Sequence, residues 1–333
     1  MSNVAMMMGL SSSAGGLDIT DVFSTYLWTS DSSSSITVNN GIDLDGEGGM
    51  VWIKSRSDSV NHVIVDTERV SGTTDNYLIP NGTNAQTAHT NEFGSFTSTG
   101  FTVPYNNEAG YTNFGTREYA SWTWRKAPKF FDVVTYTGNG GTQTINHNLD
   151  CEVGTIIVKC TSLATNWHVL HRSLGPDNGI KLNSTGAADP GDTTYWNSTT
   201  PSSSSFTVSG TAQINGSGQT YVAYVFAHNE DLIQCGSYTG TGNGVTMSVD
   251  LGWSPQWIMI KRTDGATDWR IIDTVRGIPD SGNAPSLRPN STGDEQSAFE
   301  MNVTDTGFST SDGSDQVNAS GGNYIYMAIK AEG

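Results

Sequence analysis

Met50–Val70 reads MVWIKSRSDSVNHVIVDTERV, Thr155–Gly175 reads TIIVKCTSLATNWHVLHRSLG, and Trp257–Gly277 reads WIMIKRTDGATDWRIIDTVRG. The three stretches align without a gap. Lys54, Lys159 and Lys261 correspond, as do His62, Trp167 and Trp269 eight positions on, and Arg69, Leu174 and Arg276 fifteen positions on. Each opens on a short apolar run bounded by polar residues, the signature of a buried strand. A polar middle follows, carrying an Asp264-Gly265 pair in the third copy, and it reads as a hairpin turn. A second short strand then completes the hairpin.

Three further landmarks keep the same order around this core. Upstream lies an aromatic strand with a polar turn: STYLWTSDSSSSITVNNGIDL from Ser24, VVTYTGNGGTQTINHNL from Val133 and CGSYTGTGNGVTMSVDLGW from Cys235, aligned on Tyr26, Tyr136 and Tyr238. Downstream come Phe-led strands at Phe101, Phe206 and Phe308. Closing strands follow at Tyr119, Tyr221 and Tyr324. The lysines lie 105 and 102 positions apart and the closing tyrosines 102 and 103. Repeats of this length are supersecondary units that recur along the chain. The expected organisation is an N-terminal arm over 1–22, which would dock the protein onto its assembly, and three repeats over 23–130, 131–232 and 233–333. Their joints are short enough to fix the repeats against one another. The expected fold is all-β, with three tandem antiparallel β-sandwiches of jelly-roll type and one core each. The closing segments, such as TYVAYVFA, suit central strands covered on both faces.

Composition narrows the function. Hydrophobic residues make up 35 % of the chain, and Gly, Ser, Thr and Asn are plentiful, which suits short strands and turns. Nine Trp and twelve Tyr argue against disorder. The formal net charge of −17 makes nucleic acid an unsuitable partner, because phosphate binding needs a basic footprint. Cys151, Cys160 and Cys235 are an odd set without a close pair, read as free thiols and a reducing compartment during folding. No segment has the length and apolarity of a membrane span, and the Met6–Leu10 run is too short for a signal peptide.

Sites for chemistry are few. Asp43, Asp45 and Glu47 lie beside glycines, but Lys54 stands where a calcium loop needs its last carboxylate, so the segment reads as a solvated turn. His147, His168, His171 and His228 fall in the middle repeat. His168 and His171 point to opposite faces of a strand, and these histidines read as surface or turn residues rather than zinc ligands. No Gly-x-Ser-x-Gly elbow or shared carboxylate pair appears, and no catalytic residue, cofactor or metal is expected. Two features stand out as candidates for contact. One is Asp66 with Arg69 and Asp273 with Arg276, read either as an interface between repeats or subunits or as an exposed ion pair worth roughly 0–1 kcal/mol. The other is Trp196, which has no counterpart in the other repeats and reads as a surface contact.

GIDLDGEGGMVWIKSRS, the Asp-Thr-x-Arg segments at Asp66 and Asp273, STGFTV, ASWTWRKAPKFFDVVTYTGNG, IIVK and HRSL in the second repeat, and LGWSPQWIMIKR in the third resemble a repeat domain of unknown function. That domain is found in virion proteins of marine and related phages, commonly tail fibres and tail-associated proteins. The second repeat departs from the pattern, with His171 and Leu174 where the others have Asp and Arg. The resemblance implies a non-enzymatic virion protein assembled in the host cytoplasm. It would be a tail fibre or adhesin subunit, with capsid decoration as the alternative. Its expected partners are other virion proteins, further copies of itself, and a host surface glycan or protein, without membrane insertion.

Overall fold

The computed structural model describes residues 16–332 apart from 71–74, 90, 107–109 and 279–281. Most of the docking segment proposed for the N-terminal arm lies outside the described residues. Its end does not: Asp18 caps a single 3-10 turn, Ile19–Asp21, and Ile19 and Val22 are already buried in the core. Among the described residues everything else regular is strand, and all strand pairs are antiparallel.

Three sheets share one strand order. In the first, Phe23–Thr29 pairs with Glu118–Arg125, which pairs with Gly49–Ser55, which pairs with Val63–Asp66. In the second the order is Phe131–Thr137, Thr220–Ala227, Val153–Cys160, His168–His171, extended by Asn178–Lys181 and Asp189–Pro190. In the third it is Ile233–Thr239, Asn323–Lys330, Pro255–Arg262, Arg270–Asp273. The last strand of each unit is therefore inserted between its first and its third. Smaller ladders flank these sheets: Ile36–Asn39 with Gly100–Val103, Gln143–Asn146 with Ser205–Val208, and Met247–Asp250 with Gly307–Thr310. The long segment between Asn81 and Phe96 supplies a short strand, Thr87–His89, that pairs with Asp75–Tyr77.

Register corrects one alignment. Trp28 pairs with Tyr119 as Tyr136 pairs with Tyr221 and Tyr238 with Tyr324. Trp28, not Tyr26, is the counterpart of the other two, and all three aromatic pairs stack at 4.9–5.3 Å between ring centroids. Residue type alone aligns Tyr26 with the other two tyrosines; cross-strand packing selects the larger ring two positions on.

The apolar pattern explains the layering. Along Glu118–Arg125, Ala120, Trp122 and Trp124 enter one cluster while Tyr119 enters another. Along Asn323–Lys330, Ile325, Met327 and Ile329 go inward, and Tyr324, Tyr326 and Ala328 go outward. Alternation by two thus puts each large sheet between two apolar layers. The outer layers lie under the smaller ladders. The inner layers do not form three separate cores: Trp124 of the first unit packs edge-on against Trp257 of the third at 5.5 Å and against Phe226 of the second at 6.0 Å. One cluster runs from Ile19 to Ile329.

Candidate functional site: the seams between repeats

Each large hairpin carries the same set of polar anchors. The lysines at the ends of the third strands have no exposed surface. Their ammonium groups donate to backbone carbonyls: Lys54 to Ser55 and Asp58 at 2.6 and 3.0 Å, Lys159 to Cys160 and Leu163 at 2.7 and 3.1 Å, Lys261 to Thr267 at 2.7 Å. Burial lowers Lys54 to about 7 and Lys159 and Lys261 to about 8. Asn81, Asn183 and Asn290 accept the backbone N–H of His62, Trp167 and Trp269 at 2.9, 3.0 and 2.9 Å. These asparagines sit in PNGT, LNST and PNST, a fifth recurring motif visible in the sequence.

Those loops receive the neighbouring repeat. The Trp167 indole donates to the carbonyls of Ile79 and Gly82, both at 3.1 Å. Trp269 donates to the Lys181 carbonyl at 2.9 Å, and Lys261 adds a bond to Thr185 at 3.0 Å. The His62 ring closes the set on Arg288, 2.9 Å away. Its Nδ1 accepts from the Trp52 indole at 2.9 Å, so the proton sits on Nε2 and the imidazole is neutral. Burial holds His62 well below the usual histidine range. The second repeat thus grips the first, the third grips the second, and the first grips the third. Backbone bonds repeat this cycle: Gln86 to Thr161, Ala188 to Thr263 and Glu295 to Arg56. Three seams close on themselves within one chain.

Asp66, Arg69, Asp273 and Arg276 lie in these seams, and their side chains are 6 % exposed or less. Asp66 pairs with Arg69 at 2.6 Å and accepts the Tyr224 hydroxyl of the second repeat at 2.7 Å; Arg69 also donates to that hydroxyl at 3.1 Å. Asp273 pairs with Arg276 at 2.6 Å and accepts the Trp122 indole of the first repeat at 2.9 Å. Arg276 lies over the Trp122 ring, 5.3 Å from its centroid. Glu295 extends this group, bonding Arg276 at 3.2 Å and Arg56 through both oxygens at 2.8 and 3.0 Å. Burial disfavours the Glu295 carboxylate, yet Arg56 and Arg276 hold it below the usual range. The exposed-pair alternative does not describe this geometry, because the charges are desolvated and saturated with partners.

The middle repeat solves the same junction without charge. His171 stands in the place of the aspartates; its Nδ1 accepts the Ser173 N–H at 3.2 Å and its Nε2 donates to the Tyr326 carbonyl at 3.0 Å. Burial pushes it down to about 4. Three residues after Tyr119, Tyr221 and Tyr324 stand Trp122, Tyr224 and Met327. Met327 offers no N–H or O–H to a carboxylate, and Leu174 packs where the arginines lie. Asp, Arg and an aromatic donor are replaced together by His, Leu and Met.

Two expectations fail here. Trp196 is fully buried in the shared core and presents no surface. Asn197 and Ser198 follow it in the left-handed region, and this turn folds the indole inward. His147, His168 and His171 are buried as well, not on the surface. His168 and His171 lie in a strand buried at every position, so its pleat has no wet side, and His147 follows Ile145 by two on the covered side of a half-exposed strand. Asp43 bonds the Gly46 N–H of its own turn at 2.8 Å. Among the described residues no group of three or more His, Cys, Asp or Glu is gathered.

A second recurring anchor had an overlooked signal. The Tyr119, Tyr221 and Tyr324 hydroxyls each accept the N–H five residues back and donate to the carbonyl nine residues back: Phe114 and Gly110, Gly216 and Ala212, Ala319 and Asp315. Buried Asn113, Asn215 and Asn318 stand six residues before each tyrosine. The Asn-x5-Tyr spacing is plain in the sequence once the closing strands are aligned.

No curated protein matches the chain. Solved structures similar to it include one reported as "The Triple Jelly Roll Fold and Turret Assembly in an Archaeal Virus", at 11 % identity, 93 % of this chain, 89 % of that chain and a TM-score of 0.15. Another is reported as "Life in the extremes: atomic structure of Sulfolobus Turreted Icosahedral Virus", at 12 % identity, 92 % and 90 % coverage and a TM-score of 0.15. Scores this low do not indicate a common fold. Residues 18–332 match the family described as Domain of unknown function (DUF7483), and the chain belongs to that family.

Proposed function

We propose that this is a non-enzymatic structural protein of a phage virion, a tail-associated fibre or adhesin subunit that attaches to the particle and contacts the host surface or another fibre protein. The observation that carries the structural part is the use made of its polar residues. The recurring Lys, Asn, Tyr and Asp–Arg anchors hold repeats to one another, and their donors and acceptors are occupied by protein. Such residues make a stiff body rather than a reactive site. The motifs shared with phage virion repeat domains supply the setting. In this reading the body is three jelly-roll-like sandwiches joined side by side, residues 1–22 dock it to the particle, and copies associate through outer faces, because the seams are filled within one chain.

Decoration of the phage head is the second reading, favoured by a compact closed body rather than an extended shaft. Quantitative mass spectrometry of purified particles tests both. A few to tens of copies per virion are expected for the tail, and tens to hundreds would place the protein on the head. Absence from purified particles would overturn both readings.

A further inference from the structure

The burial of Trp196 has a consequence for its neighbour. Thr194 and Tyr195 are strapped to the end of a flanking ladder: the Ser209 N–H donates to the Tyr195 carbonyl at 2.8 Å, and the Ser209 hydroxyl bonds the Thr194 carbonyl. With the Trp196 ring turned inward, Tyr195 remains only partly buried. It faces a pocket of about 310 Å³ whose walls include Lys181, Ser184, Asp189 and Asp192. The tyrosine ring is backed by the buried His168 ring, 4.0 Å away, which fixes it as a platform.

The rest of the pocket is built to leave space. Gly179, Gly186 and two alanines form part of the lining. The Asp192 carboxylate lies over Gly179 so closely that a Cβ there would stand 2.5 Å from its oxygen. Asp192 caps its own turn by accepting the Thr194 N–H at 3.0 Å. Among the described residues neither Asp189, Asp192 nor Lys181 takes part in an ion pair, in contrast to the saturated charges of the seams. Acceptors and a donor thus surround an aromatic face.

We infer that this pocket binds a neutral hexose unit of a surface glycan, an assignment that rests on the attachment role proposed above. The apolar face of the sugar would lie on Tyr195. Its vicinal hydroxyls would donate to Asp189 and Asp192, and a ring or hydroxyl oxygen would accept from Lys181. Two carboxylates on a chain of net charge −17 disfavour an acidic sugar. A stacked ring with a few convergent polar groups is the usual form of a small-ligand site.

The test uses the full chain with methyl α-mannoside, methyl α-glucoside and methyl β-galactoside as probes, and sodium glucuronate as the charged comparison. Saturation-transfer NMR should show at least one hexoside bound, with Kd on the order of 1–10 mM. Tyr195→Phe should keep binding, whereas Tyr195→Ala and Asp192→Asn should each weaken it about tenfold or more at an unchanged unfolding midpoint. No saturation of any hexoside up to about 50 mM would overturn the assignment. So would binding that survives Tyr195→Ala, or glucuronate binding as tightly. Copy number in the particle is read independently, so a failure here leaves the virion reading to stand or fall on its own.

Discussion

Arg276 has no exposed side-chain surface, and its guanidinium meets Asp273, Glu295 and the face of Trp122. Removing one member of such a group leaves a buried charge without its counterpart. Arg276→Met is therefore expected to destabilise the protein by about 3–5 kcal/mol in urea unfolding. Asp66→His alone should be of similar size, because it strands Arg69. The middle repeat shows how the same junction works without charge, so Asp66→His combined with Arg69→Leu and Tyr224→Met should recover more than half of that loss. A triple variant no more stable than the single one would mean the three positions do not act as a set. The buried imidazoles set the acid limb. His168 and His171 are held at about 4 by burial, below the ordinary value near 6.5. The unfolded chain binds more protons between these values, so stability falls as pH drops from about 6.5 towards 4. His171→Gln should flatten that slope.

At the scale of the element, the closing strand does two jobs. It completes the sheet between the first and third strands, and its leading tyrosine fastens the preceding loop. Tyr221→Phe leaves the Gly216 N–H and the Ala212 carbonyl without their partner and should cost about 1–3 kcal/mol. Tyr119→Phe and Tyr324→Phe should cost much the same, since their geometry is the same; a loss confined to one repeat would show that the clasp is not a shared device. The hairpin lysines make the basic limb. Their folded values of about 7 to 8 lie below the free value of 10.5. Between these values the unfolded chain again binds more protons, and stability rises with pH by at most about 1.4 kcal/mol per unit for each lysine. Burial raises Tyr136, Tyr224 and Tyr238 well above 10, so above about pH 10 the sign reverses. A stability maximum near pH 10 is the expected profile, and Lys159→Met should lessen the climb towards it.

At the scale of the whole molecule, the seams form a cycle and the inner sheet faces share one core. Separate repeats would unfold in separate steps. Here the loss of one repeat exposes two seams and part of the common core, so calorimetry should show a single transition with equal van't Hoff and calorimetric enthalpies. Three resolved transitions would be incompatible with a shared core.

The strands and their order along the chain were legible because each rests on local pattern: apolar runs, polar turns and fixed spacing in MVWIK, TIIVK and WIMIK. TYVAYVFA and NYIYMAIK read as doubly covered because their residues are apolar at nearly every position, whereas EYASWTWR interleaves Ser121 and Thr123. What lay beyond the sequence was direction and partnership. Nothing local says that Trp196 turns inward while Tyr195 stays outside; a left-handed turn at Asn197 and Ser198 decides it. Nothing local distinguishes a weak surface pair from the buried Asp66–Arg69 pair, because the distinction is made by Tyr224, 155 residues away. Aromatic residues that recur in each repeat look alike whether they fill three cores or one. Burial and pairing depend on which inner faces meet, and that is settled only when the third repeat closes back onto the first.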